Sequence, residues 1–119
     1  MLSSDRFRAC VSDDENDQTA TPDAFDALRY VADKRLARGK LVVIDATNVQ
    51  PEARRTFVAL ARERDVLPVA VVLDVPESVC VARNAVRNDR SIPANAVRRQ
   101  VRDLHASKRA MTREGVRQI

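Results

Sequence analysis

Three clusters of polar residues have the types and spacing to do chemistry. Ser3-Ser4-Asp5 follows Met1 and Leu2, which read as the end of a strand. Asp45-Ala46-Thr47-Asn48 directly follows the apolar run Leu41-Val42-Val43-Ile44. An aspartate at the end of a buried parallel strand can hold a divalent cation or its waters. The same residue is about as often a helix cap or turn former. The third cluster runs from Arg83 to Arg90. Arg83 and Arg87, four residues apart, are expected on one helix face, with Arg90 close by. Guanidinium forks held that close suit phosphoryl oxygens; a solvated face paired with acids elsewhere accounts equally for the spacing.

The elements that must position these clusters alternate. Residues 41–46 and 66–75 are short apolar runs rich in β-branched residues, with no alternation of apolar and polar positions. They read as strands buried on both faces. A helix is expected from Pro22, with Thr21 as N-cap, a buried stripe of Phe25, Leu28, Ala32 and Leu36, and Gly39 at its end. Further helices are expected from Pro51 to about Asp65, from Pro76 through Val86, and from Pro93 through Met111. Residues 12–19 read as a loop, solvated or engaged in binding. Strand–helix alternation predicts an α/β fold with a parallel sheet.

Composition narrows the function classes. A chain of 119 residues fits one domain, and a hydrophobic fraction of 45% excludes a disordered polar chain. No apolar run is long enough to span a bilayer and no leader pattern opens the chain, so the expected location is cytoplasmic. Cys10 and Cys80 lie far apart and are expected to be reduced. The net charge of +4 combines an acidic first third with an arginine-rich last third, which points to a polyanionic partner or to a solvated face. With 3% aromatic residues, a stacking platform of the RRM or OB type is disfavoured, and phosphate contacts are the expected mode. A Walker A loop needs several glycines followed by Lys and Ser or Thr. Only Gly39 and Gly115 are present, and Gly39-Lys40-Leu41 lacks both the upstream glycine and the hydroxyl.

Taken together, the segments resemble the P-loop kinase domain of bacterial polynucleotide kinase-phosphatases, and more distantly the phage polynucleotide kinases. The most specific part is Ser3-Ser4-Asp5 with Arg8, then Ser12-Asp13-Asp14-Glu15-Asn16-Asp17-Gln18. Val43–Asn48, Arg83-Asn84-x-x-Arg87 and Arg113-Glu114-Gly115 follow at similar spacing. The resemblance implies ATP-dependent phosphorylation of RNA or DNA 5′-OH ends, with ATP and Mg²⁺ as cofactors and a metallophosphatase domain after residue 119 in the parent enzyme. It implies that Asp5 is the general base, that Ser4 and Arg8 bind the acceptor, and that Arg83 and Arg87 clamp the ATP phosphates from a lid around residues 83–90. Asp45 would reach the metal indirectly. It also implies a sheet of order 2-3-1-4-5, with residues 1–4, 41–46 and 68–74 as strands 2, 3 and 4, and strand 5 starting near Val116. Residues 1–119 would then be a partial domain, without the central strand and phosphate loop, and marginal or insoluble until about 25–35 upstream residues are added. A kinase of small metabolites or nucleotides, or a non-catalytic binding fragment, are the alternatives.

Overall fold

Caps, prolines and αL residues set where each element starts and stops. The computed structural model describes residues 1–48, 50–87 and 92–118. In chain order these form β1 (Leu2–Ser3), α1 (Ser4–Ser12), a 3-10 turn (Gln18–Ala20), α2 (Thr21–Ala37), β2 (Ile44–Asp45), α3 (Pro51–Glu63), β3 (Val69–Ala70), α4 (Glu77–Ala85), α5 (Ala94–Ala110) and β4 (Arg117–Gln118). The fold is α/β with short parallel strands, and its residues group into two compact units, Met1–Thr47 and Asn48 onward.

In the first unit, β1 pairs in parallel with β2, Leu2 opposite Ile44 and Ser3 opposite Asp45. The helix α1 was not expected. Ser3 caps it, its Oγ accepting from the Arg6 N–H at 3.3 Å. Asp5 lies in the first turn, where a carboxylate is favourable, and Asp13 ends the helix in the αL region at φ 61°. Thr21 is not the cap of α2. Ala20 holds that position without a side-chain bond, and the 3-10 turn before it is capped by Asp17, whose carboxylate accepts from the Thr19 N–H. Ala24, Leu28 and Ala32 form the buried stripe of α2, while Phe25 and Leu36 are half-buried. Gly39, at φ +71°, turns the chain out of α2, its N–H donating to the Leu36 carbonyl.

In the second unit, β3 pairs in parallel with β4, Val69 opposite Arg117 and Ala70 opposite Gln118. Val58 of α3, Met111 and Val116 are buried together, with Ala70 against them. Leu60 is 2% exposed. Cys80 on α4 and Cys10 on α1 are free thiols.

The apolar runs are longer than the strands they form. Of residues 41–46 only Ile44 and Asp45 are laddered, and of residues 66–75 only Val69 and Ala70. A strand persists only as far as a neighbour supplies hydrogen bonds, and β1 and β4 are two residues each. The remainder leaves Leu41 80%, Val71 70% and Leu73 79% exposed.

Leu28 is fully buried. Leu28→Ala should cost about 2–5 kcal/mol, read as a shift in the urea midpoint followed by circular dichroism. A change below about 1 kcal/mol would mean that α2 is not held by this stripe.

Candidate functional site

Ser4, Asp5 and Arg8 come together at the carboxyl end of β1, which is where open α/β sheets place ligands. Ser4 opens α1, and Asp5 and Arg8 are one turn apart on it. Arg8 is 5% exposed although charged. Its guanidinium pairs with the Asp5 carboxylate, and its Nε donates to the Glu15 carbonyl at 2.8 Å. The acidic segment after α1 is therefore an organised turn. Ser12 Oγ bonds to the carbonyls of Arg8 at 3.0 Å and Asp14 at 3.2 Å, and Asp14 accepts from the Asn16 N–H at 2.9 Å. Hydrogen bonding from the Thr19 hydroxyl holds the Asp17 carboxyl below its ordinary range. Gln18 is exposed beside Asn16. Asp45 lies exposed at the end of β2, one position beyond the residue paired with Leu2.

The arginines of the second unit depart from the expected geometry. Arg83 lies in the last turn of α4, but the helix ends at Ala85, and Val86 is its cap. Arg87 follows that cap, its N–H donating to the Asn84 carbonyl at 3.2 Å. The two do not share a helix face, because the helix stops between them. Both are exposed. Arg90 lies outside the described residues.

Sequence reasoning missed the best-connected charged group. Arg54 of α3 is 6% exposed. Its Nε and Nη2 donate in parallel to Glu114 Oε1 and Oε2, each at 2.8 Å. Its Nη1 donates to Ser107 Oγ at 2.7 Å and to the Asn48 carbonyl at 2.9 Å. Asn48 sits at φ 52°, with its side-chain oxygen buried and unpartnered among the described residues. The available signal was an arginine on the apolar side of a helix, a place that demands a carboxylate partner.

The profile of a family described as an AAA domain matches residues 1–111. The chain belongs to this AAA domain family. It is a P-loop, NTPase-like kinase family, generally served by a nucleotide and Mg²⁺. No curated protein matches the chain.

Against that membership, the described residues of this AAA domain fit only part of a nucleotide site. Gly39 terminates α2, and Gly115, at φ +86°, lies where a Cβ would come within 2.9 Å of Arg62 Nη2. Neither opens a phosphate cradle. Asp45 offers one carboxylate, and among the described residues no group of three or more His, Cys, Asp or Glu could hold a metal ion. No described helix is long and apolar enough to cross a membrane.

Hydrogen bonds from Arg54 hold Glu114 below its ordinary value of 4.5, against the opposing effect of burial. A carboxyl depressed on folding contributes stability that is full above its unfolded value and is lost as pH falls through the folded one. Stability should therefore fall as pH drops below about 4.5, and Glu114→Gln should flatten that limb. Arg54→Met should cost about 2–4 kcal/mol at neutral pH, less than a fully buried pair because Glu114 is partly exposed. Thermal unfolding from pH 3 to 7 checks both; an unchanged acid limb in Glu114→Gln would remove the pair from this role.

Proposed function

We propose that this AAA domain carries the acceptor side and arginine lid of an ATP-dependent kinase that phosphorylates the 5′-OH ends of RNA or DNA. The observation that carries the reading is the Asp5–Arg8 pair at the end of β1, with the acidic turn folded back onto Arg8 through the Glu15 carbonyl. That order of residues marks the resemblance to polynucleotide kinase-phosphatases, and the turn gives it a physical purpose. A base must be oriented toward the hydroxyl it deprotonates, and a buried guanidinium orients the Asp5 carboxylate from one side.

In this reading Asp5 accepts the proton of the attacking 5′-OH. Arg8, buried against Asp5 and the Glu15 carbonyl, holds the carboxylate in place and acts on the acceptor through it, and Ser4 lines the same end. Arg83 and Arg87, exposed at and beyond the end of α4, neutralise charge on the donor nucleotide. ATP with Mg²⁺ supplies the phosphoryl group when bound, and Asp45 is the carboxylate available on the metal side. Among the described residues no Gly-rich loop supplies the triphosphate cradle. The parent enzyme carries a metallophosphatase domain and acts in end repair in the cytoplasm.

In a chain whose phosphate loop is present, Asp5→Asn should lower transfer to a 5′-OH oligonucleotide by about 10²–10⁴-fold, with nucleotide binding kept. Near-normal turnover would remove Asp5 as the base. Transfer to small hydroxylated acceptors, with none to oligonucleotides, would favour a metabolite kinase instead. Arg83→Lys and Arg87→Lys should each recover only part of the activity lost in the alanine variants, since an ammonium cannot make the bidentate fork. Full activity in both lysine variants would make these arginines a solvated surface.

A further inference from the structure

Positive charge is concentrated around the C-terminal half of α2 and the turn that follows it, away from the residues assigned above. Between Arg29 and Lys40 the chain has five cations, Arg29, Lys34, Arg35, Arg38 and Lys40, and one acid, Asp33, a local net of +4. The whole chain is also +4, so the other residues sum to zero. All five cations are exposed: Lys34 lies on the side of α2 away from the buried Ala24, Leu28 and Ala32, Arg35 continues past the end of that stripe, and Arg38 and Lys40 follow at the helix cap and the turn.

The geometry adds an aromatic to the cations. Tyr30, the only tyrosine, is 64% exposed. Tyr30, Lys34 and Arg38 stand four residues apart, hence in one row along about 12 Å of helix. Lys34 Nζ lies 5.2 Å from the Tyr30 ring centroid. Arg35 and Lys40 lie beside that row and are held to each other. Arg35 donates from Nη2 to the Leu41 carbonyl at 3.0 Å. The turn at Gly39 brings Lys40 back so that its N–H donates to the Arg35 carbonyl at 3.0 Å. Between them and the row runs a shallow groove of about 430 Å³ lined by Tyr30, Val31, Lys34, Arg35, Arg38 and Lys40.

We propose that this face of α2 binds the body of a single-stranded nucleic acid, with the cations on its phosphates and Tyr30 against a base. Charge complementarity selects a polyanion. The exposed ring within the cationic row selects one with π faces over a lipid headgroup or an acidic peptide. The inference extends the proposed acceptor reading from the 5′ end to the rest of the strand, and its test does not depend on catalysis.

The test is fluorescence anisotropy with a 3′-labelled, 5′-phosphorylated single strand, which cannot be an acceptor for 5′-OH phosphorylation. The full chain is used. The logarithm of affinity should fall with the logarithm of salt at a slope of about −2 to −3, near −0.7 per cation engaged. Lys34→Gln with Arg38→Gln should reduce that slope by about 1.4. Lys34→Arg should bind as the parent. Tyr30→Ala should weaken binding about 5- to 100-fold, and Tyr30→Phe should restore it. These side chains are exposed, so the variants are expected to fold, and unchanged circular dichroism confirms it. Parental binding in both the double variant and Tyr30→Ala overturns the proposal. So does equal competition by phosphatidylserine vesicles or polyglutamate, with no effect of Tyr30→Ala, which would leave a general anion surface. Ridge-dependent binding, with no 5′-OH phosphorylation by a chain whose phosphate loop is present, would sink the kinase reading alone; phosphorylation with ridge-independent binding would sink this one alone.

Discussion

The second unit is organised around one buried guanidinium. Arg54 reaches α5 through Ser107, the turn before β4 through Glu114, and the chain entering α3 through the Asn48 carbonyl. Taking a guanidinium out of water costs several kcal/mol unless its donors are met, so burying Arg54 commits these three segments to one arrangement. Hydrophobic contact among Val58, Met111 and Val116 supplies non-directional attraction beside it. The paired fork supplies direction, since its two parallel bonds to one carboxylate exist in a single orientation. Gly115 completes the device: its positive φ and lack of a Cβ let the chain pass Arg62, whose Nη2 donates to the Glu114 carbonyl at 3.3 Å.

The first unit repeats the device at smaller scale. Arg8 is as buried as Arg54, and it too joins a carboxylate to a distant carbonyl, here Asp5 and Glu15. Five acids between Asp5 and Asp17 would repel one another in an open loop. Distributing them over a helix start, an αL cap, a turn and a 3-10 cap gives most of them a hydrogen-bonding task and sets the order of the loop. A buried arginine is what makes such an acidic loop worth folding, and that links the loop's composition to the position of the Asp5 carboxylate.

The sequence disclosed the class of the fold better than its lengths. Prolines 22, 51, 76 and 93 marked helix starts because a missing N–H costs nothing in a first turn. Which strands pair with Leu2 and Val69 was not legible in the apolar runs, since Arg117-Gln118 is not apolar; it followed only from the strand order that the family resemblance implies. Strand lengths were not legible either, since a ladder depends on what lies alongside and not on β-branching in the run itself. The helix α1 was hidden because Ser3-Ser4-Asp5 read as polar chemistry after a strand, when Ser3 is also the cap that starts the helix. The shared face of Arg83 and Arg87 failed on a boundary: spacing of four places two residues together only while the helix lasts, and it ends at Ala85. Arg54 on the apolar side of α3 called for a carboxylate, but nothing local pointed to Glu114, sixty residues away.

Charge counted by thirds of the chain is a poor guide to what a partner meets. Fields from exposed charges fade over about 10 Å at 0.1 M salt, so a ligand responds to a face and not to a segment. The acids of residues 13–17 are largely engaged in their own turns. Several cations of the last third lie beside acids, with Arg98 paired to Glu77 at 3.4 Å and Lys108 paired to Asp74. Both of those pairs are exposed and screened, yet each cancels its own charge locally. The basic run from Arg29 to Lys40, over the end of α2 and the turn after it, has one acid, Asp33, among five cations. The helix period turns that imbalance into a ridge, because residues four apart stack on one side while the apolar stripe takes the other. The same periodicity that buries Leu28 sets Lys34 beside Tyr30 with Arg38 one turn further on, so an acidic-looking amino-terminal third also carries an exposed cationic patch.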